Sequence, residues 1–416
     1  MTHTSDLSPS QRGLLFSPAP IDKPSAMSKS RLLSVDALRG FVMIIMALDH
    51  TREFFHSGAM VFQPEDLSRT TTVLFFTRWI THICAPVFVF TAGLGAYFWM
   101  SHGRTPAQLS SFLWKRGVWL AILDLTVIRF ALAYSMLHGV LILSVLWALG
   151  LSMIALGFLI RIPVRWLATG SVAVIVLHNL MDSVMASQFG SAGWIWKILH
   201  EQGVFSVGGA LVLVAYPIVP WVAVMALGFC FGKIMILDPL KRQWWLSRIG
   251  IGMIVAFLVL RAINVYGDPQ RWSTNFPGMT LLSFLRCTKY PASLDFLLMT
   301  LGPALLLLSW FTRMKFARTN PLIVFGRVPL FYFIVHLYVI HALTIPLALL
   351  RYGRAAFLLK PLPSMGGPAE LYPPQYGYGL WTVYAVWVAV VVLLYPLCLW
   401  FARLKERRTD WWLSFL

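Results

Sequence analysis

The stretch SVDALRGFVMIIMALDHTREFFH, Ser34 to His56, decides how this chain is read. An apolar run from Phe41 to Leu48 has Asp36 and Arg39 before it and Asp49, His50, Arg52, Glu53 and His56 after it. At 1.5 Å per residue, Asp36 to His50 spans about 21 Å and returns to within roughly 40° of its starting direction. Asp36, Gly40, Met43, Ala47 and His50 therefore share one stripe. Ionisable groups at membrane depth are expensive, so they face a protein interior and mark a site. One helix of this kind links chemistry at both surfaces of a bilayer.

Composition places the rest of the chain in the same setting. Of 416 residues, 58% are hydrophobic and only 12% charged, against about a quarter charged in soluble domains. An all-α, polytopic integral membrane protein is expected. The net charge of +18 does not point to nucleic acid, because Lys and Arg punctuate apolar runs instead of clustering on a soluble face. Cys84, Cys230 and Cys398 lie in apolar segments and Cys287 in a loop, with no CxxC pair, so neither a disulfide framework nor a zinc site is supported.

Stretches near the ~20 residues needed to cross a bilayer occur at 33–55, 73–99, 113–133, 139–160, 164–185, 208–235, 247–265, 291–311, 322–349 and 380–402. Ten spans with the amino terminus in the cytoplasm put 20 of the 34 basic residues on the cytoplasmic side and nine on the other. That bias predicts both termini inside. The expected organisation is a disordered cytoplasmic tail over 1–30, one transmembrane domain over 31–403 and a cytoplasmic tail over 404–416.

On this topology many intramembrane polar groups fall in the outer half: Asp49 and His50, Arg78 and His82, Asp124 and Arg129, Arg261, Asp295 and His336. An outward-facing polar cavity follows. Arg78, Arg129 and Arg261 can equally serve as interhelical ties to Asp124, Asp295 or Asp49, or snorkel to the interface. His82 also fits a packed core position. His341 lies about 140° around its helix from His336, so only one of them faces a shared pocket, and His336 is the choice. His50 and His56 are the leading catalytic candidates, since a histidine near neutral pKa takes a proton from an attacking amine or hydroxyl, with Asp49 fixing its tautomer. Asp36 and Arg39 read as structural, pinning the inner end of the helix. Without HExxH, Walker A, GxSxG or GxGxxG patterns, no metal or nucleotide motif is expected.

The string RLLSVDALRGFVMIIMALDH resembles the opening helix of the heparan-alpha-glucosaminide N-acetyltransferase family and its bacterial relatives. YPIVPWVAVMALGFCFGK at Tyr216 to Lys233, KYPASLDFLLMTLGPALLLL at Lys289 to Leu308 and FGRVPLFYFIVHLYVIHAL at Phe325 to Leu343 are similar to the bacterial branch. The resemblance implies transfer of an acetyl group from cytosolic acetyl-CoA, or another acyl-CoA, to an acceptor across the membrane. The family's catalytic histidine lies just after the first span, and an asparagine ends that span. On this chain these positions fall on His56 and His50, with His replacing Asn and a shorter stretch between them.

The expectation is a membrane acyltransferase of the bacterial inner membrane, acting on a glycan or other small acceptor at the outer face. His50 or His56 is the general base, and Arg78, Arg129 or His336 is the candidate oxyanion donor. Basic cytoplasmic loops such as Arg104 to Arg116 attract the phosphates of coenzyme A. A proton-coupled transporter or lipid flippase using the same cavity is the alternative, and whether a homodimer forms stays open.

Overall fold

A computed structural model of the chain describes residues 26–134, 140–365, 367–408 and 410–415. Its helices are α1 (Ala26–Phe55), α2 (Thr72–Trp79), α3 (Cys84–Ser101), α4 (Pro106–Leu123), α5 (Arg129–Ala133), α6 (Val145–Leu159), α7 (Val164–Leu177), α8 (Gly193–Leu199) and α9 (Ile218–Met235). They continue as α10 (Pro239–Ile263), α11 (Thr280–Leu285), α12 (Leu294–Phe311), α13 (Pro321–Arg327), α14 (Pro329–Tyr352) and α15 (Leu380–Arg407). The strands are β1 (Leu141–Leu143), β2 (Gly203–Val207) and β3 (Ala210–Val214). Residues 1–25 of the expected tail lie outside the described residues. At the other end a turn over Trp411–Ser414 buries Leu413 against the core.

Every apolar stretch read from the sequence contains a helix, and among the described residues seven segments are long and apolar enough to cross a membrane. They are Thr72–Ser101, Val164–Met181, Ile218–Met235, Pro239–Ile263, Leu294–Phe311, Pro329–Tyr352 and Leu380–Arg407. The other three stretches form α1, the run of α4 and α5 joined by a π turn over Asp124–Ile128, and the 15-residue α6. The sheet is the departure from an all-helical reading. Residues 141–143 and 210–214 belong to two of the apolar stretches, but β1 pairs parallel with β3, and β2 pairs antiparallel with it. Gly208 and Gly209, at φ of 56° and 83°, form the two-residue connection that a β-hairpin needs and a helix does not accept.

Helix ends follow local chemistry. Thr105 and Gln108 make a reciprocal cap at α4, Ser293 accepts the Phe296 N–H at α12, and Asn320 caps α13 ahead of Pro321. Many apolar side chains of α10 and α15 point outward, with Leu240, Val392 and Trp381 well exposed. That pattern suits hydrocarbon rather than water. The core is centred on α1, which packs against α3, α12, α13, α14 and α15. Contact with α13 is backbone to backbone: a Cβ at Gly40 would lie 1.8 Å from the Leu322 carbonyl, and one at Gly326 would lie 1.8 Å from the Asp36 carbonyl. Small residues permit this approach, as in other membrane helix pairs.

Candidate functional site: two cavities along one helix

One face of α1 carries Arg39, Met43, Met46, His50 and Glu53, spaced four, three, four and three residues apart, so the side chains stack along a single line. Arg39 and Met43 open onto a cavity of about 290 Å³, whose wall also holds Trp99, Phe112 and Arg116. Met46, His50 and Glu53 open onto a second cavity of about 560 Å³ with a more polar wall that includes Glu65, Arg78, Arg286 and Tyr290. Phe88 on α3, Val145 on α6 and Phe333 on α14 line both cavities. These three residues therefore stand between the two cavities, and the His50 ring stands 6.3 Å from that of Phe333.

The His50 end holds a buried charge network. Asp49 is buried between Arg78, with which it makes a short ion pair, and Arg52, whose Nη2 lies 3.1 Å away. Arg78 Nε donates to Glu65 at 3.0 Å, and His82 Nε2 lies 3.2 Å from the same carboxylate oxygen. Burial alone would raise the Glu65 pKa, but Arg78 and His82 hold it well below the usual carboxylate range. The Glu53 Oε2 stands 2.9 Å from His50 Nδ1. An ionised Glu53 accepts only from a protonated Nδ1, which leaves Nε2 of the neutral ring as the free base.

Asp49 was expected to orient His50, and here the structure corrects the sequence. Adjacent residues on a helix point about 100° apart, whereas three-residue spacing brings Glu53 under His50. Asp49 instead faces Arg78 on the next helix. His56 also separates from His50. It sits beyond the end of α1, where its Nδ1 accepts the Gly58 N–H at 3.1 Å and caps the Ser57–Met60 turn. Burial and the nearby Arg52 charge push its pKa down to about 4, and it is not part of the cavity wall.

His336 is fully buried behind His50, with ring centroids 5.2 Å apart; its Nδ1 faces the Tyr332 carbonyl and its Nε2 has no hydrogen-bond partner. His341 points elsewhere, toward the carbonyls of Ala131 and Leu358. The other candidates are not on the wall of the larger cavity. Asp124 is not at the cavity: it accepts the Ser144 N–H at 2.8 Å and the Ser144 hydroxyl, holding the start of α6. Arg261 spends its N–H groups on the carbonyls of Gln270, Ser283, Phe284 and Arg286, with Asp295 at 3.7 Å. These bonds tie down the loop that supplies the Arg286 to Tyr290 wall. Arg129 is half-buried and makes no ion pair among the described residues. Asp36 and Arg39 pair at 3.1 Å as expected, and Arg39 also faces the smaller cavity.

Glu65, Tyr216 and Arg286 are cavity residues that sequence reasoning did not select. All three come from loops or segment edges, where no helical periodicity marks a buried face. Tyr216 and Tyr290 stand edge to face at 4.9 Å, and burial together with Tyr290 raises the Tyr216 pKa well above normal.

These features define a polytopic helical membrane protein with a carboxylate-held histidine on the wall of one cavity, beside the residues that part it from a second. The catalytic region of heparan-alpha-glucosaminide N-acetyltransferases matches residues 31–266, more than half of the chain. The chain belongs to this family of membrane acyltransferases, and the matched segment contains His50, Glu53, Glu65 and Arg78. Among curated proteins, no significant match was found.

Proposed function

We propose that this protein transfers an acetyl group from acetyl-CoA to an amine or hydroxyl of a glycan or other small acceptor, the two substrates entering from opposite membrane faces. The observation that carries the reading is the set Phe88, Val145 and Phe333, which stands between a cavity bearing Arg39 and Arg116 and one bearing His50; in this reading the set forms a throat that joins them. In this reading the Arg39 end is cytoplasmic, and its two guanidinium groups draw the phosphates of coenzyme A to the mouth. The apolar wall below accepts the pantetheine arm and leaves the thioester at the throat.

The acceptor occupies the larger polar cavity. His50 Nε2 takes the proton as the acceptor attacks the thioester carbonyl, and Glu53 stabilises the resulting imidazolium through Nδ1–H. The C–S bond then breaks, and His50 returns the proton to the departing thiolate, so the ring ends neutral. Arg78 keeps positive potential at the cavity wall as charge develops on the carbonyl oxygen. The inner membrane of a bacterium is the proposed location.

Calorimetry of acetyl-CoA with the detergent-purified protein tests the donor. Saturable binding by wild type and His50→Ala alike is the expected result, because His50 acts on the acceptor. No binding by folded wild type at millimolar acetyl-CoA would overturn the reading and favour transport of a polar solute through the same cavity.

A further inference from the structure

A second histidine cluster stands apart from the His50 cavity. His178 begins the turn that ends α7, Asp182 closes that turn, and His200 follows α8. The donor atoms of all three lie within 4.8 Å of one another. His200 Nε2 stands 3.2 Å from Asp182 Oδ1, while the second Asp182 oxygen accepts the Asn179 Nδ2 at 2.8 Å. The two imidazoles meet edge to face, with centroids 5.6 Å apart.

These buried histidines are only partly partnered. His178 is 1% exposed and His200 3%, yet the Nδ1 of His200 makes no hydrogen bond, and the His178 ring has only a loose hydrogen-bonding contact with the backbone at Ala292. A buried polar atom without a partner costs about 1–3 kcal/mol, so such an arrangement calls for a ligand. Two imidazoles and one carboxylate, with a fourth position left for water, form a donor set suited to zinc. Tetrahedral zinc draws its donors to about 3.3 Å apart, a short closure from the spacing seen.

The surroundings show what an ion there would do. Asn179, which holds Asp182, also accepts the Leu294 N–H at the start of α12 with its carbonyl oxygen at 2.9 Å. Two residues past His200, Gln202 enters the wall of the larger cavity and leads into β2. Among the described residues, this is the one group of three or more such donors close enough to hold an ion. The sequence hides it, because the third donor lies 18 residues from Asp182 and no short motif joins them.

We propose that His178, Asp182 and His200 bind a divalent transition-metal ion, zinc fitting best, which ties α7, α8 and the start of α12 together behind the cavity wall. This does not depend on the acyl-transfer reading. The test uses the tag-free, chelator-treated full chain in detergent, titrated with Zn²⁺ against a chromophoric competitor, with Co²⁺ absorption as the spectroscopic readout. One equivalent per chain is expected, with intense visible bands from low-symmetry Co²⁺ and a rise in melting temperature on adding Zn²⁺. Asp182→Asn, which keeps the shape and the acceptor for Asn179, should weaken binding at least tenfold, and His178→Gln with His200→Gln should abolish it. His50→Ala should bind as wild type does. Substoichiometric binding by folded wild type, or unchanged binding in the double variant, would overturn the site.

Discussion

At the scale of single residues, His50 and Glu53 carry the account. His50→Ala should lower acetyl-CoA-dependent thiol release in the presence of glucosamine by about 10²–10⁴, the range typical of losing a general base, with donor affinity unchanged. Glu53→Gln removes the carboxylate that holds Nδ1–H 2.9 Å away, and should slow the same reaction with acetyl-CoA affinity unchanged. A Glu53→Gln protein as active as wild type would assign the orienting role elsewhere. His56 predicts a stability effect instead. Its folded pKa of about 4 lies below the ordinary 6.5, so the unfolded chain binds the extra proton and stability falls as pH drops from about 6.5 toward 4. His56→Asn retains a side-chain acceptor for the Gly58 N–H and should flatten melting temperature over that window without loss of transfer. The histidines were legible in the sequence because they follow an apolar run. The carboxylate serving His50 was misassigned because chain neighbours on a helix are not spatial neighbours. Glu65, brought to Arg78 by a loop, left no periodic trace.

At the scale of elements, α1 is both the central strut and a helix that touches both cavities along the face from Arg39 to Glu53. Its charge pattern is legible in the amino-acid sequence, as is the pairing of Asp36 with Arg39. Its closeness to α13 is not, since a lone glycine in each segment says nothing about which backbone will meet it. Gly326→Ala places a methyl group into the Asp36 carbonyl and must push the helices apart. Overpacking of this kind costs about 1–3 kcal/mol, read as a lower melting temperature in detergent, with Gly252→Ala on α10, where nothing lies near the added carbon, as the control. The small sheet was missed for a related reason. Short apolar strands and the starts of membrane helices look alike in composition, and only the Gly208–Gly209 turn separates them.

At the scale of the whole molecule, chain segments far apart in sequence build the boundary between the cavities: α3, α6 and α14 each give one residue to the proposed throat. Hydropathy identifies these as apolar segments but cannot say which faces converge, which is why the polar groups were legible as a set while Asp124, Arg261 and Asp295 were misplaced within it. Val145→Trp fills the throat from the cavity side. It should leave acetyl-CoA binding within a few fold of wild type and reduce transfer by about 100-fold or more, whereas equal activity would separate the two cavities functionally. The most direct measurement is photo-crosslinking with an acyl-CoA carrying a diazirine in its acyl chain, followed by peptide mapping. Labelling of the peptides bearing Phe88, Val145 or Phe333, suppressed by excess acetyl-CoA, is the result predicted. Labelling confined to the lipid-facing side of α10 or to the Lys360 to Gly379 loop, and insensitive to acetyl-CoA, would contradict delivery of the acyl group to His50 through the throat.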